Sequence, residues 1–313
     1  SVESLGVELP LYDITTGTRD FIADGVVSHN CFARKSHTYL DFDSGADFDT
    51  QVVVKTNAPT LLRRELAAPR WSGEHIAMGT NVDCYQRAEG RYRLMPPIIE
   101  ALRDFGNPFS ILTKGTLILR DLDLLRQAAE VAKVGLAMSI GFVNQELWRS
   151  VEPRTPSPQR RLDAVRELAD AGLECSVLMA PILPGLTDTP EEVERTVAAI
   201  ARAGATRVTP IPLHLRSGGS REWYFDWLGR EFPRLVELYR RLYRGSAYLP
   251  SGYQREVVAR VRMAARRHGL STAASGQVRQ PRESDPTRDE AGPEVSPAQT
   301  EPDGAAPTQL TLL

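Results

Sequence analysis

The run GVVSHN followed by Cys31 carries the densest chemistry in the chain, because His29 and Asn30 stand directly before a thiol. An Asn side-chain nitrogen can attack its own carbonyl carbon, closing a succinimide and cutting the chain after itself. A neighbouring imidazole assists the proton transfers of such a step. A thiol one residue further on can receive an acyl group as a nucleophile. Asn30, His29 and Cys31 are therefore candidate catalytic residues. Cys31, Cys84 and Cys175 are odd in number, so they build no disulfide framework and point to a reducing, cytoplasmic setting. Cys175 opens an apolar run and reads as a core thiol. Only four of the 38 basic residues are Lys, at 35, 55, 114 and 133, which makes Lys114 conspicuous at the end of ILTK.

These groups need a scaffold, and the 313 residues divide by composition into three parts. Residues 1–30 are rich in Val, Ile, Thr and Gly and read as short strands joined by a turn. Residues 271–313 hold Ser, Pro, Gln, Ala, Gly and acids with no aromatic residue, so a disordered acidic tail is expected there. Between them, 31–270 carries 34 basic and 28 acidic residues, a mildly basic body between two ends of charge −4 each. That balance suits a polyanionic partner without requiring one. No apolar run reaches the roughly 20 residues of a membrane helix, and SVESLGVELPLYD has no signal-peptide pattern, so neither membrane nor secretion is expected. The opening Ser suggests further sequence upstream.

Within the body, apolar strand-like runs at 51–55, 75–79, 109–113, 134–140, 175–182 and 207–214 alternate with amphipathic helical stretches. Ser157-Pro158 and Thr189-Pro190 are helix starts, and Ala171-Gly172 and Ala203-Gly204 are helix stops. This alternation predicts an α/β fold with a parallel sheet, and the near-continuously apolar VGLAMSI and CSVLMAPI predict strands covered on both faces. No GxGxxG or GxxxxGK[ST] follows a strand, which leaves a (β/α) barrel or partial barrel. The chemistry then belongs at the C-terminal strand edge, where Thr80, Asn81, Asp83, Lys114, Ser139, Pro181, Pro184 and His214 fall. His214 reads either as a substrate or cofactor contact or as a structural histidine.

LPLYDITTGTRDFIADGVVSHN resembles the two closing blocks of an intein and ends in the expected His-Asn before Cys. The resemblance implies that 1–30 is the C-terminal splicing segment of a Hint domain, that Asn30 cyclises with help from His29, and that Cys31 is the acyl acceptor and first extein residue. Asp13 fits the family's acidic position; Arg19 departs from it, standing where many inteins carry a second assisting His. An N-terminal intein and extein half would be the splicing partner.

From Cys31 onward, CFARKSHTYL, GTNVDCYQ, ILTKGTLILRDLDLL, SIGFVNQELWRSVEPRTPSPQRRLDAV and MAPILPGLTD together resemble the spore photoproduct lyase branch of the radical S-adenosylmethionine (radical SAM) enzymes, a lyase-like family of DNA repair. The resemblance implies a partial (β/α)6 TIM-like barrel over 31–270 and a [4Fe–4S] cluster held by CxxxCxxC, with Cys31 as the third ligand and the first two in the missing half. Neither Cys84 nor Cys175 is spaced to replace them, so this chain alone is expected not to hold the cluster. By the same resemblance, Phe32 packs near the adenine of S-adenosylmethionine, and Lys114 and Ser139, at the ends of the third and fourth expected strands, hold its carboxylate. A 5′-deoxyadenosyl radical then takes hydrogen from a substrate such as a DNA photoproduct. Cys84 is either a hydrogen donor to the product radical or a buried, inert thiol.

Two further features bear on partners. REWYFDWL with EFPRLVELYRRLYRG mixes aromatic and basic residues, which suits either nucleic-acid contact or a helical core. The final Gln309, Leu310, Thr311, Leu312 and Leu313 resemble the pentapeptide by which repair polymerases bind the DNA sliding clamp, with Leu313 replacing the usual Phe. The competing reading is a cluster-less fragment, acting as an intein cleavage or trans-splicing partner or as a nucleic-acid or clamp-binding module.

Overall fold

A computed structural model describes residues 54–80, 82–215 and 220–272. The splicing junction, Phe32 and the QLTLL end lie outside these residues. Six strands form one parallel sheet in chain order: β1 (Ile76–Met78), β2 (Phe109–Thr113), β3 (Val134–Ser139), β4 (Cys175–Ile182), β5 (Arg207–Pro212) and β6 (Ser271–Thr272). Parallel neighbours cannot be joined by hairpins, so helical crossovers return the chain each time. After α1 (Ala58–Leu66), these are α2 (Arg87–Tyr92), α3 (Met95–Asp104), a 3-10 turn with α4 (Leu122–Val131), α5 (Gln145–Val151), α6 (Pro158–Asp170) and α7 (Pro190–Arg202). The last crossover carries α8 (Ser220–Glu231), α9 (Val236–Leu242) and α10 (Ser251–Arg267).

The helix signals work as read. The Ser157 and Thr189 hydroxyls accept from the backbone N–H of Arg160 and Glu192, each at 3.3 Å, at the first turns of α6 and α7. Gly172 and Gly204 end those helices at φ +80° and +83°.

Three expectations are corrected. Of 51–55, only Val54 and Lys55 are described, and neither is in a strand; among the described residues Lys114 follows the second strand and Ser139 ends the third. The tail begins later than 271, because Ser271 and Thr272 pair in parallel with Arg207 and Val208. Backbone pairing places them, helped by the Ser271 hydroxyl, which donates to the Thr206 carbonyl at 2.9 Å. Burial on both faces holds only toward the C-terminal ends of β3 and β4, where Met138 and Ser139, and Met179 through Ile182, are buried in succession; along β2 Phe109, Ile111 and Thr113 are buried while Ser110 and Leu112 are half-buried. The buried positions pack under Ile99 and Leu102 of α3, Leu125 of α4 and Val165 of α6 in the main core.

The aromatic segment takes the helical-core alternative. Tyr224, Trp227, Tyr239 and Tyr243 are buried in a second core beside α5, so they do not stack on an external nucleic acid. The Tyr224 hydroxyl donates to that of Tyr239 at 3.0 Å, and the Tyr243 hydroxyl donates to the Leu213 carbonyl at 2.7 Å. Arg234, Arg240 and Arg241 face outward. Among the described residues no helix is long and apolar enough to cross a membrane.

Candidate functional site

The C-terminal ends of β1, β2 and β3 open into a cleft of about 680 Å³, the edge at which (β/α) barrels carry their chemistry. Gly79, Thr113, Lys114, Gly115 and Ser139 form its floor. The Asp83–Arg87 loop makes one wall, and the segment after β3, including Trp148, Arg154, Thr155 and Arg160, makes the other.

Close backbone approach explains the first wall. Gly79, at φ +82°, lies so near β2 that a Cβ would sit 1.8 Å from the Leu112 carbonyl oxygen. A Cβ on Gly115 would meet the Tyr85 carbonyl oxygen at 2.4 Å. Asp83 clips the loop to β2: its carboxylate accepts from the Thr113 hydroxyl (2.5 Å), the Tyr85 N–H (2.9 Å) and the Lys114 N–H (2.8 Å). Glu89 accepts from the Leu94 and Met95 N–H groups at 2.8 and 3.1 Å and pairs with Arg120 at 2.6 Å. The acidic residues of GTNVDCYQRAE thus serve backbone geometry: Arg120 offsets the Glu89 charge, while Asp83 has its acceptors satisfied and keeps its negative charge in the cleft lining.

At the floor, Lys114, Glu152 and Arg161 form a buried ion cluster. Lys114 Nζ lies 2.6 Å from Glu152 Oε1, and Arg161 Nη2 lies 2.6 Å from Glu152 Oε2. Their side chains are 11%, 3% and 1% exposed, so each charge depends on the others. Burial by itself would raise the Glu152 carboxyl; the Arg161 and Lys114 charges outweigh it and hold it at about 2. Two cations share one carboxylate, so the cluster itself carries a formal charge of +1, beside the Asp83 carboxylate. Ser139 Oγ donates to the Ala180 carbonyl at 3.1 Å.

The structure therefore brings Lys114 and Ser139 together. Cys84 packs against the main core and does not line the cleft. Burial, and then the neighbouring Asp83 charge, raise its thiol well above the ordinary value, so it stays protonated. Cys175 begins β4 at the opposite strand edge, fully buried, with burial pushing it up to about 12. His214 stands after β5 with its ring edge-on to Tyr248, centroids 4.6 Å apart, and does not line the cleft.

Glu152 and Arg161 were not among the expected site residues. A signal for Arg161 exists: it lies on the apolar stripe of α6, with Pro158, Leu162, Val165 and Leu168. A charge on a core-facing position needs a buried partner.

An amino-acid-bearing nucleoside such as S-adenosylmethionine fits this cleft, its carboxylate matching a lining in which Arg87, Lys114, Arg154 and Arg160 outnumber Asp83 and its volume matching a site for one small ligand. An iron–sulfur cluster does not fit the described residues. No group of three or more His, Cys, Asp or Glu side chains among them is arranged to hold a metal, and Cys84 and Cys175 occupy opposite sheet edges.

A half-open parallel barrel with a ligand cleft over its C-terminal edge defines the class of protein, a (β/α) enzyme-like scaffold. The family model for the radical SAM superfamily matches residues 51–208, and the chain belongs to that superfamily. An uncharacterized protein of Mycobacterium tuberculosis is 53% identical over 231 residues, covering 74% of this chain and 68% of its own. An uncharacterized protein of Methanocaldococcus jannaschii is 30% identical over 158 residues, half of this chain and 56% of its own. Among solved structures, a spore photoproduct lyase double mutant with bound AdoMet and dinucleoside spore photoproduct superposes with a TM-score of 0.56 at 15% identity, covering 83% of this chain and 79% of that one. The lyase complexed with dinucleoside spore photoproduct gives 0.55 at 16% identity over the same shares. At such identities the likeness establishes the fold.

Proposed function

We propose that residues 31–270 are the body of a radical SAM enzyme of the spore photoproduct lyase type, acting on nucleic acid. In this reading the cleft takes S-adenosylmethionine, with Lys114 and Ser139 at its carboxylate. The observation that carries it is a net positive cleft, with Lys114 anchored in a buried ion cluster, at the C-terminal edge of a radical SAM superfamily sheet. When bound and reduced by one electron, S-adenosylmethionine supplies a carbon-centred radical that abstracts hydrogen from substrate. This chain's part is to hold the carboxylate, orient the nucleoside and keep water out. Arg87, Arg154 and Arg160 line the cleft's wall and suit the phosphates of a polyanionic substrate. The dinucleoside photoproduct bound by the lyase supports the same substrate class.

The cluster ligands come, in this reading, from Cys31 and from a CxxxCxx half that joins it when an intein ending at Asn30 is removed. Anaerobic reconstitution with that half is expected to give a brown protein that releases 5′-deoxyadenosine from S-adenosylmethionine. A colourless, inactive preparation refutes the proposal. Mass spectrometry tests the junction, expecting loss of 1–30 and a new N-terminal Cys31; an intact mass after long incubation counts against it. The proposed clamp contact through Gln309, Leu310, Leu312 and Leu313 fails if deleting 309–313 leaves clamp pull-down unchanged.

A further inference from the structure

Arg161 makes more contacts than an ion pair needs. Its Nε donates to the Pro156 carbonyl at 2.8 Å, its Nη1 to the Ser139 carbonyl at 3.1 Å, and its Nη2 to Glu152 at 2.6 Å and to the Thr155 hydroxyl. The Thr155 hydroxyl in turn donates to the Glu152 carbonyl at 2.9 Å. One guanidinium, 1% exposed and fixed to the first turn of α6, thereby reaches three places: the end of β3 at Ser139, the cleft wall at 155–156, and the carboxylate that holds Lys114. The two side chains assigned to a ligand carboxylate come from different strands, Lys114 after β2 and Ser139 in β3. Arg161 touches the backbone of one and the counterion of the other.

We infer that Arg161 is a positioning residue that sets the spacing between Lys114 and Ser139, and so creates selectivity for a carboxylate-bearing ligand. This rests on the reading of the cleft given above. The planar fork of Arg satisfies four acceptors at once, whereas a Lys ammonium, a point charge on a flexible stem, cannot reproduce that geometry although it keeps the charge. A role through charge alone would survive Arg161→Lys; a role through position would not.

The test uses two probes that differ only in the carboxylate, S-adenosylmethionine and decarboxylated S-adenosylmethionine, titrated calorimetrically into the full chain. The wild type is expected to favour the carboxylate-bearing probe by about tenfold or more, the worth of a charge-assisted hydrogen bond. Lys114→Met is expected to abolish that preference. Arg161→Lys and Arg161→Met are expected to reduce it by about tenfold while leaving affinity for the decarboxylated probe unchanged, which also certifies the fold. If Lys114→Met removes the preference and Arg161→Lys keeps it, the inference about Arg161 falls and the reading of the cleft stands. If the wild type binds both probes equally, or Lys114→Met keeps the preference, the reading of the cleft falls and the inference with it. Should Arg161→Met lose both probes through misfolding, Arg161→Lys decides. Loss of both probes in Arg161→Lys as well marks a merely structural role and overturns the inference.

Discussion

Glu152→Gln is the sharpest perturbation of the buried cluster, since it keeps shape and removes one charge. It strands two cations whose side chains are 11% and 1% exposed. Breaking a buried pair in this way costs about 3 to 5 kcal/mol. A second route gives a similar size: a carboxyl held from its ordinary 4.5 down to about 2 is worth about 3 kcal/mol to the folded state. The sign follows from the direction. A depressed carboxyl stabilises fully above pH 4.5, and that contribution is lost as the pH falls toward 2. With a urea slope of about 2 kcal/mol per M, the midpoint at neutral pH should fall by about 1.5 to 2.5 M. Urea titrations at several pH values check both points. On acidification below pH 4.5 the wild type should lose about 3 kcal/mol more than the variant. Equal midpoints at neutral pH, or parallel acid losses, would refute the view that Glu152 is an ionised, doubly paired carboxylate.

Other expected outcomes follow from the same geometry. Gly79→Ala should lower the thermal midpoint far more than Gly172→Ala, although φ is +82° and +80° at the two sites; a Cβ at Gly79 strikes Leu112 and one at Gly172 meets nothing within 4 Å, so the latter should cost only about 1 kcal/mol. Ser157→Ala and Thr189→Ala should each cost about 1 kcal/mol in chemical denaturation, as lost helix caps. If the cleft wall grips a nucleic-acid backbone, replacing Arg154 and Arg160 by Ala should weaken oligonucleotide binding and reduce its salt dependence by about two counterions; unchanged slopes would argue against that surface.

The sheet was legible where one strand carries a whole apolar run, as at Phe109–Thr113 and Cys175–Ile182, because burial against helices demands such runs. It was illegible at Ser271–Thr272, where two polar residues join through backbone pairing and the Ser271 hydroxyl, with no apolar run to mark a strand. The half-buried face of β2 was illegible for a related reason: a half-buried Leu112 looks the same in sequence as a buried one. In the site, Lys114 stood out by rarity and Ser139 by its place at a strand end. Glu152 did not, since its meaning comes from a lysine 38 residues away. Asp83 had looked like rim chemistry, but its three hydrogen bonds to loop and strand make it a clip.

The central claim is that the net positive cleft receives the carboxylate of S-adenosylmethionine at the ends of β2 and β3. A crystal structure of the full chain soaked with that molecule tests it most directly. The account predicts the carboxylate within hydrogen-bonding distance of Lys114 Nζ and Ser139 Oγ, with the Lys114–Glu152–Arg161 cluster unchanged beneath it. A ligand seated outside the cleft, or in it with the carboxylate turned away from Lys114, would contradict the account.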